Sequence, residues 1–171
     1  MKTLLALTLM IPLLSCSFLG TKSKGSNPKP DGAMISYEYA HMSTAMYPLR
    51  WYEVDRDEDG QVRIAWSESN EPEIRVIRGP EDFFERVAAM VGQYKLYRLR
   101  EHYTPRADIR DGYMWHAYFR FEHNSISASG SNAWPKEKLW AGVEAVNAYI
   151  QSLIDASSED DIIARRSHDD R

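Results

Sequence analysis

The residues best equipped for chemistry crowd into one stretch, residues 102–134. It holds His102, Asp108, Arg110, Asp111, His116, His123, Asn132 and many hydroxyls. Near neutral pH an imidazole can move a proton or bind a metal, and a neighbouring carboxylate can fix its tautomer. His116 and His123 with Asp111 are therefore the candidates for a small hydrolase or a metal-dependent enzyme. Their spacing argues against it. Seven residues apart, the two histidines fall on opposite faces of an unbroken strand, and a metal needs further ligands converging on them. Asp111 and Glu122 are at hand, but nothing in their spacing demands that role. The chain carries no histidine pair at metalloprotease spacing, no phosphate-cradling glycine loop and no serine in a Gly-x-Ser-x-Gly elbow. The favoured expectation is a non-enzymatic domain with no resident metal and no cofactor.

Three other groups invite a binding role. Asp55, Asp57 and Asp59 alternate like a calcium loop, and Gly60 stands at its sixth position. The twelfth position is Trp66 where calcium needs a glutamate, so an acidic hairpin turn is preferred. Residues 125–132, Ser-Ile-Ser-Ala-Ser-Gly-Ser-Asn, are small and polar. They suit either a shallow ligand face, with Ser129 and Asn132 as donors, or a solvated edge strand and turn, which is favoured. Trp51 and Tyr47 are the third group. If Tyr52, Val54, Ile64 and Trp66 face the core, Trp51 points the other way. It then either presents a patch for a protein or glycan, or is covered by the chain itself. In the patch reading, Trp51→Ala spares folding and weakens a partner contact.

Cys16 is the single cysteine. It ends an apolar run, residues 4–14, that follows Lys2 and is too short for a mature membrane helix. The sequence Leu13-Leu14-Ser15-Cys16 resembles a bacterial lipoprotein signal. The resemblance implies cleavage before Cys16, lipid such as palmitate on the anchored cysteine, and export to the cell envelope. Ser17 follows the cysteine in place of aspartate, which in that family implies the outer membrane of a two-membrane bacterium. The segment around Ser129-Gly130-Ser131-Asn132-Ala133-Trp134-Pro135 is similar to one in small bacterial lipoproteins of uncharacterised function. No catalytic residue comes with that likeness.

The elements that must position these residues follow from periodicity. Ile35, Tyr37 and Tyr39 alternate with polar residues as a strand does. Residues 49–55 and 61–67 read as a hairpin. A two-residue turn at Asp59-Gly60 would set Ile64 against Asp55. A three-residue loop, Glu58-Asp59-Gly60, sets Ile64 against Val54 and Trp66 against Tyr52, and is favoured. Residues 73–77 are another strand. Pro80-Glu81-Asp82 opens a helix with Phe84, Val87, Ala88 and Val91 on its buried stripe. Residues 94–100 lean to strand. Residues 113–122 are the strongest strand, with Tyr113, Trp115, Ala117, Phe119 and Phe121 on one face. Leu139, Val143, Val146, Ile150 and Leu153 mark the last helix.

The expected organisation is a signal peptide at residues 1–15, a lipidated cysteine and flexible tether at 16–32, one domain at 33–154, and a polar, disordered tail at 155–171. The expected fold is α+β: an antiparallel sheet of five to seven short strands, with two helices packed mainly on one face. Acids outnumber bases by 25 to 21, which argues against nucleic acid as a partner. The expected partners are the membrane, through Cys16, and an envelope protein or glycan. A purely structural spacer is a further alternative; it should show no concave pocket and no exposed aromatic cluster.

Overall fold

A computed structural model describes residues 27–43, 47–69, 71–105 and 112–170. The signal segment, Cys16, the first part of the tether, Asp108, Arg110 and Asp111 lie outside these residues. The described chain is α+β. Four strands come first: β1 (Met34–Met42), β2 (Arg50–Arg56), β3 (Val62–Ser67) and β4 (Glu73–Arg78). Helix α1 (Phe83–Tyr94) and a 3-10 turn (Leu96–Arg98) follow, then β5 (His102–Tyr103), β6 (Met114–Phe121) and β7 (Ser125–Ser131). Helix α2 (Glu137–Asp155), a 3-10 turn (Glu159–Asp161), β8 (Ile162–Ser167) and a last 3-10 turn (His168–Asp170) complete it.

The strands form one eight-stranded sheet in the order β5-β7-β6-β1-β2-β3-β4-β8. Seven of the strands pair antiparallel; the two-residue β5 joins β7 in parallel. The sheet is thus larger than the expected five to seven strands, and mixed. The β2–β3 hairpin has the favoured register, Val54↔Ile64 and Tyr52↔Trp66. Its loop closes with the Gly60 N–H donating to the Asp57 carbonyl at 3.0 Å, and Gly60 holds φ +78°, which a side chain resists. Asp57 Oδ1 accepts the backbone N–H groups of Asp59 and Gln61, while Asp55 grips the Arg63 guanidinium through both oxygens. These carboxylates are spent on the turn.

Both helices cover one face. Phe83, Phe84, Val87 and Val91 from α1 and Val143, Val146 and Ile150 from α2 pack with Tyr37, Val54, Ile64, Trp115, Phe119 and Ile126 of the sheet. Burying each such side chain contributes about 1.5–3 kcal/mol. Tyr113 is the exception on the strongest strand: it precedes β6 and is exposed. Residues 94–100 do not form a strand. α1 runs on to Tyr94, and Lys95 then stops it with φ +57° while its N–H reaches back to Gly92 and Val91.

The tail is the largest departure from expectation. Residues 162–167 form β8 and close the free edge of β4. Ser158 and Asp161 cap the turn before it, the Ser158 N–H donating to Asp161 Oδ2 at 2.8 Å. The charges that made this segment look disordered are its cross-strand contacts. Arg165 meets Glu73 at 2.9 Å and also pairs with Glu159; Arg166 meets Glu53 at 2.7 Å. Charged side chains suit an outermost strand, because they discourage further pairing.

The opposite face carries a second, small cluster of Ala40, Trp51, Ala65, Ile74 and Val76. Trp51 is 5% exposed, and His168 of the last turn meets its ring edge-on at 5.1 Å. Tyr47 stacks on the same imidazole at 6.1 Å. The aromatic patch proposed for Trp51 and Tyr47 is therefore covered by the chain's own C-terminal turn. Trp51→Ala is accordingly expected to lower the urea midpoint, by about 2–4 kcal/mol of stability, rather than spare the fold.

Candidate functional site

Alternating burial builds the site. Leu96 and Leu99 are fully buried between α1, α2 and the sheet, so Arg98 and Arg100 beside them must point outward. Lys95 faces the same way from its left-handed position at the end of α1. Across from them, the connection from β7 to α2 supplies Trp134 and Lys136, and the first turn of α2 supplies Lys138. The two walls are drawn together where α2 crosses the end of α1. A Cβ on Gly142 would lie 2.5 Å from the Tyr94 Cβ, so only glycine allows this approach. Trp115 fixes the far wall: its indole Nε1–H donates to the Ala133 carbonyl at 2.9 Å, and its ring packs on Tyr103 and Trp140.

The result is a half-open cleft of about 590 Å³. Five cations line it, with Tyr94, Tyr103 and Trp134 as aromatic walls and no acid. Trp134 is 42% exposed. The neighbouring acids Glu101 and Glu137 do not line the cleft. None of the five cations has an ion-pair partner among the described residues. Arg50, Arg63, Arg75, Arg86, Arg165 and Arg166 are all paired elsewhere on the molecule. In a chain of net charge −4, five cations around one cavity, with no ion-pair partner among the described residues, are a local excess of opposite sign to the whole. Lys95 adds a backbone cost, since a side chain in the left-handed region costs about 1–2 kcal/mol. Such strain is concentrated at functional positions.

The chain reaches the body beside this cleft. The Asn27 side-chain amide donates to the carbonyls of Leu99 at 2.9 Å and Ser127 at 3.0 Å, and its oxygen accepts the Ser127 N–H at 2.8 Å. Leu99 lies between two cleft arginines, Arg98 and Arg100. The end of the expected tether is thus docked on the fold. Asn124 extends the contact, its side chain bonding Lys29 O and the Asp31 N–H.

The residues proposed for catalysis do not converge. His116 sits near the start of β6, and His123 lies in the exposed turn beyond its other end. Seven residues of strand span about 23 Å. Asp111 lies outside the described residues. Burial lowers the His116 pKa, with Glu38 opposing. Opposite His116 is Ser129, as β6 and β7 pair. Its Oγ lies 2.8 Å from His102 Nδ1 and donates to the Glu101 carbonyl at 3.0 Å. With that proton held by a carbonyl, Ser129 accepts from the imidazole and is no activated nucleophile. Asn132 is a turn residue with φ +48°; its Oδ1 accepts the Tyr113 N–H at 2.9 Å. Among the described residues no three His, Cys, Asp or Glu side chains are grouped to hold a metal ion.

Reading the sequence alone missed Lys95, Arg98, Arg100, Trp134, Lys136 and Lys138. The one signal that could have found them is the spacing of basic residues between apolar ones in Lys95-Leu96-Tyr97-Arg98-Leu99-Arg100. No protein-family model matches this chain, and no curated protein matches it either.

Proposed function

We propose that this chain is a non-catalytic binding domain of the cell envelope, anchored by lipid on Cys16 and taking an anionic ligand in the cleft between α1 and α2. The carrying observation is the set of five cations, unpaired among the described residues, that share one cavity with three aromatic rings. Arginine forks and lysine ammonium groups are the usual hosts of phosphate and carboxylate. A spacer with no binding role has no use for such a cavity. The anchor reading is carried by the Leu-Leu-Ser-Cys pattern, with the outer membrane favoured by Ser17.

The full chain in detergent should be retained on immobilised polyphosphate at low salt and released as ionic strength rises. Arg98→Glu with Arg100→Glu is expected to weaken retention about 100-fold, since hydrogen bonds to charged groups contribute about 1.5–3 kcal/mol each. Lys95→Gly separates binding from folding. It relieves the left-handed strain, so thermal stability should stay at or above the parent value while retention drops. Arg86→Glu, on α1 and paired with Asp82, serves as the control. Retention that survives the cleft substitutions overturns the proposal.

A further inference from the structure

We infer that the anionic group taken by the cleft is the phosphate of a membrane lipid headgroup, so that the domain docks cleft-first on the membrane holding its anchor. The inference rests on the anchored-binding reading above and adds the ligand and the orientation. Its basis is where the tether meets the body. Asn27 is fastened to the Leu99 carbonyl, between the cleft residues Arg98 and Arg100, and to the Ser127 backbone of β7, so a pull from the anchor reaches the body beside the cleft. Asn27 stands eleven positions after Cys16. Fully extended, that length spans no more than about 40 Å. That is long enough for the cleft to touch the surface and short enough to keep it there. A connection this short to the anchored cysteine gives an effective concentration of about millimolar, so even a weak headgroup site is filled.

The chemistry of the walls agrees. A phosphodiester offers oxygens to the Arg98 and Arg100 forks and to the ammonium groups of Lys95, Lys136 and Lys138. Trp134, Tyr94 and Tyr103 combine an apolar ring with a polar tip, the kind of side chain that settles at the headgroup level. Lys29, whose ammonium lies 6.0 Å from the Tyr97 ring, continues the positive side toward the tether, where Lys22 and Lys24 follow in sequence. Elsewhere the surface is mixed or acidic, as at Asp57, Glu58 and Asp59 on the β2–β3 hairpin. An anionic membrane therefore repels that hairpin while it attracts the cleft, which selects one orientation.

The test uses the protein purified from membranes. Mass analysis of its N-terminal fragment reads the acyl group on Cys16. An unmodified cysteine overturns the anchor, and this result is distinct from failure of the cleft. The acylated protein is then placed in vesicles of phosphatidylcholine alone or with phosphatidylglycerol. Acrylamide quenching of Trp134 is isolated by difference against Trp134→Phe. Phosphatidylglycerol should shield Trp134 at least threefold. Arg98→Glu with Arg100→Glu, or 1 M salt, should abolish the shielding, and Lys95→Gly should reduce it while its thermal transition stays at or above that of the parent. Equal quenching in both vesicle types overturns the inference. Shielding by soluble polygalacturonate in phosphatidylcholine vesicles, with none from phosphatidylglycerol, also overturns it and makes the ligand an acidic glycan, leaving anchored binding intact. Shielding that free inorganic phosphate produces equally well, without the lipid, overturns the membrane source.

Discussion

Trp115→Ala should remove about 3–5 kcal/mol of stability, enough to abolish a cooperative thermal transition in a domain of ordinary stability. The side chain is 1% exposed and touches three different parts of the fold. Tyr103 lies 5.8 Å away on β5, Trp140 lies 5.0 Å away on α2, and Ala133 accepts its indole N–H. Truncation leaves a cavity and also strands the Ala133 carbonyl. The space is already used to the limit, since a Cβ on Gly130 would fall 2.3 Å from the indole nitrogen. Trp115→Phe keeps most of the apolar contact and loses the hydrogen bond, so it should cost about 1–2 kcal/mol. Urea unfolding followed by circular dichroism measures both. Equal midpoints for Trp115→Ala and the parent protein would remove Trp115 as the support of the cleft wall.

Above pH 10 the domain is expected to lose stability steeply. Burial raises the pKa values of Tyr37 and Tyr39 well above the ordinary value, and nearby Tyr and Glu144 charges add to the effect, with Arg50 opposing. The unfolded chain releases these protons near pH 10, whereas the folded chain keeps them. Their stabilising contribution is thus fully present below pH 10 and is lost as pH climbs toward the folded values. The slope is about 1.4 kcal/mol per pH unit for each tyrosine. The two differ in surroundings. Tyr37 donates to Asn147 Oδ1 at 2.7 Å, while the buried Tyr39 hydroxyl makes no well-aligned hydrogen bond among the described residues, and the Asn147 side chain only opposes the rise of its pKa. Tyr39→Phe should therefore leave stability at pH 7 unchanged or higher and make the alkaline slope shallower by about 1.4 kcal/mol per pH unit, with Tyr37, Tyr52 and Tyr149, whose pKa values burial also raises, carrying the rest. Urea midpoints from pH 8 to 11.5 would show it, and an unchanged slope in that variant would refute the assignment. His41 and His116 act on the acid side. Burial lowers both pKa values, so their contribution is present above about pH 6.5 and fades as pH falls.

The parts of the fold that were legible are those where one element's own residues decide. The β2–β3 register followed from matching Val54 to Ile64 across a loop that needs Gly60 at positive φ. The α2 stripe followed from spacing alone. β8 was illegible because its partners lie far away in sequence: Arg165 and Arg166 look like solvated charge until Glu73 and Glu53 are set beside them. The cleft was hidden for the same reason. Lys95, Arg98 and Arg100 belong to one segment and Lys136 and Lys138 to another, and only the crossing at Gly142 brings them together. Counting charge over the whole chain concealed a basic site within an acidic total. His116 and His123, whose spacing already argued against a shared site, lie toward opposite ends of β6.

The strand order has a consequence for a chain made from its N-terminus. β1 to β4 emerge first and can pair among themselves at once. Both flanks of that four-stranded meander then stand open: β1 waits for β6, and β4 waits for β8, some 84 positions further on at residues 162–167. Open flanks of this kind recruit other chains. The C-terminal strand is therefore the seal that ends the vulnerable interval, and whatever shortens the wait for residues 162–167 protects the molecule from pairing with its own copies.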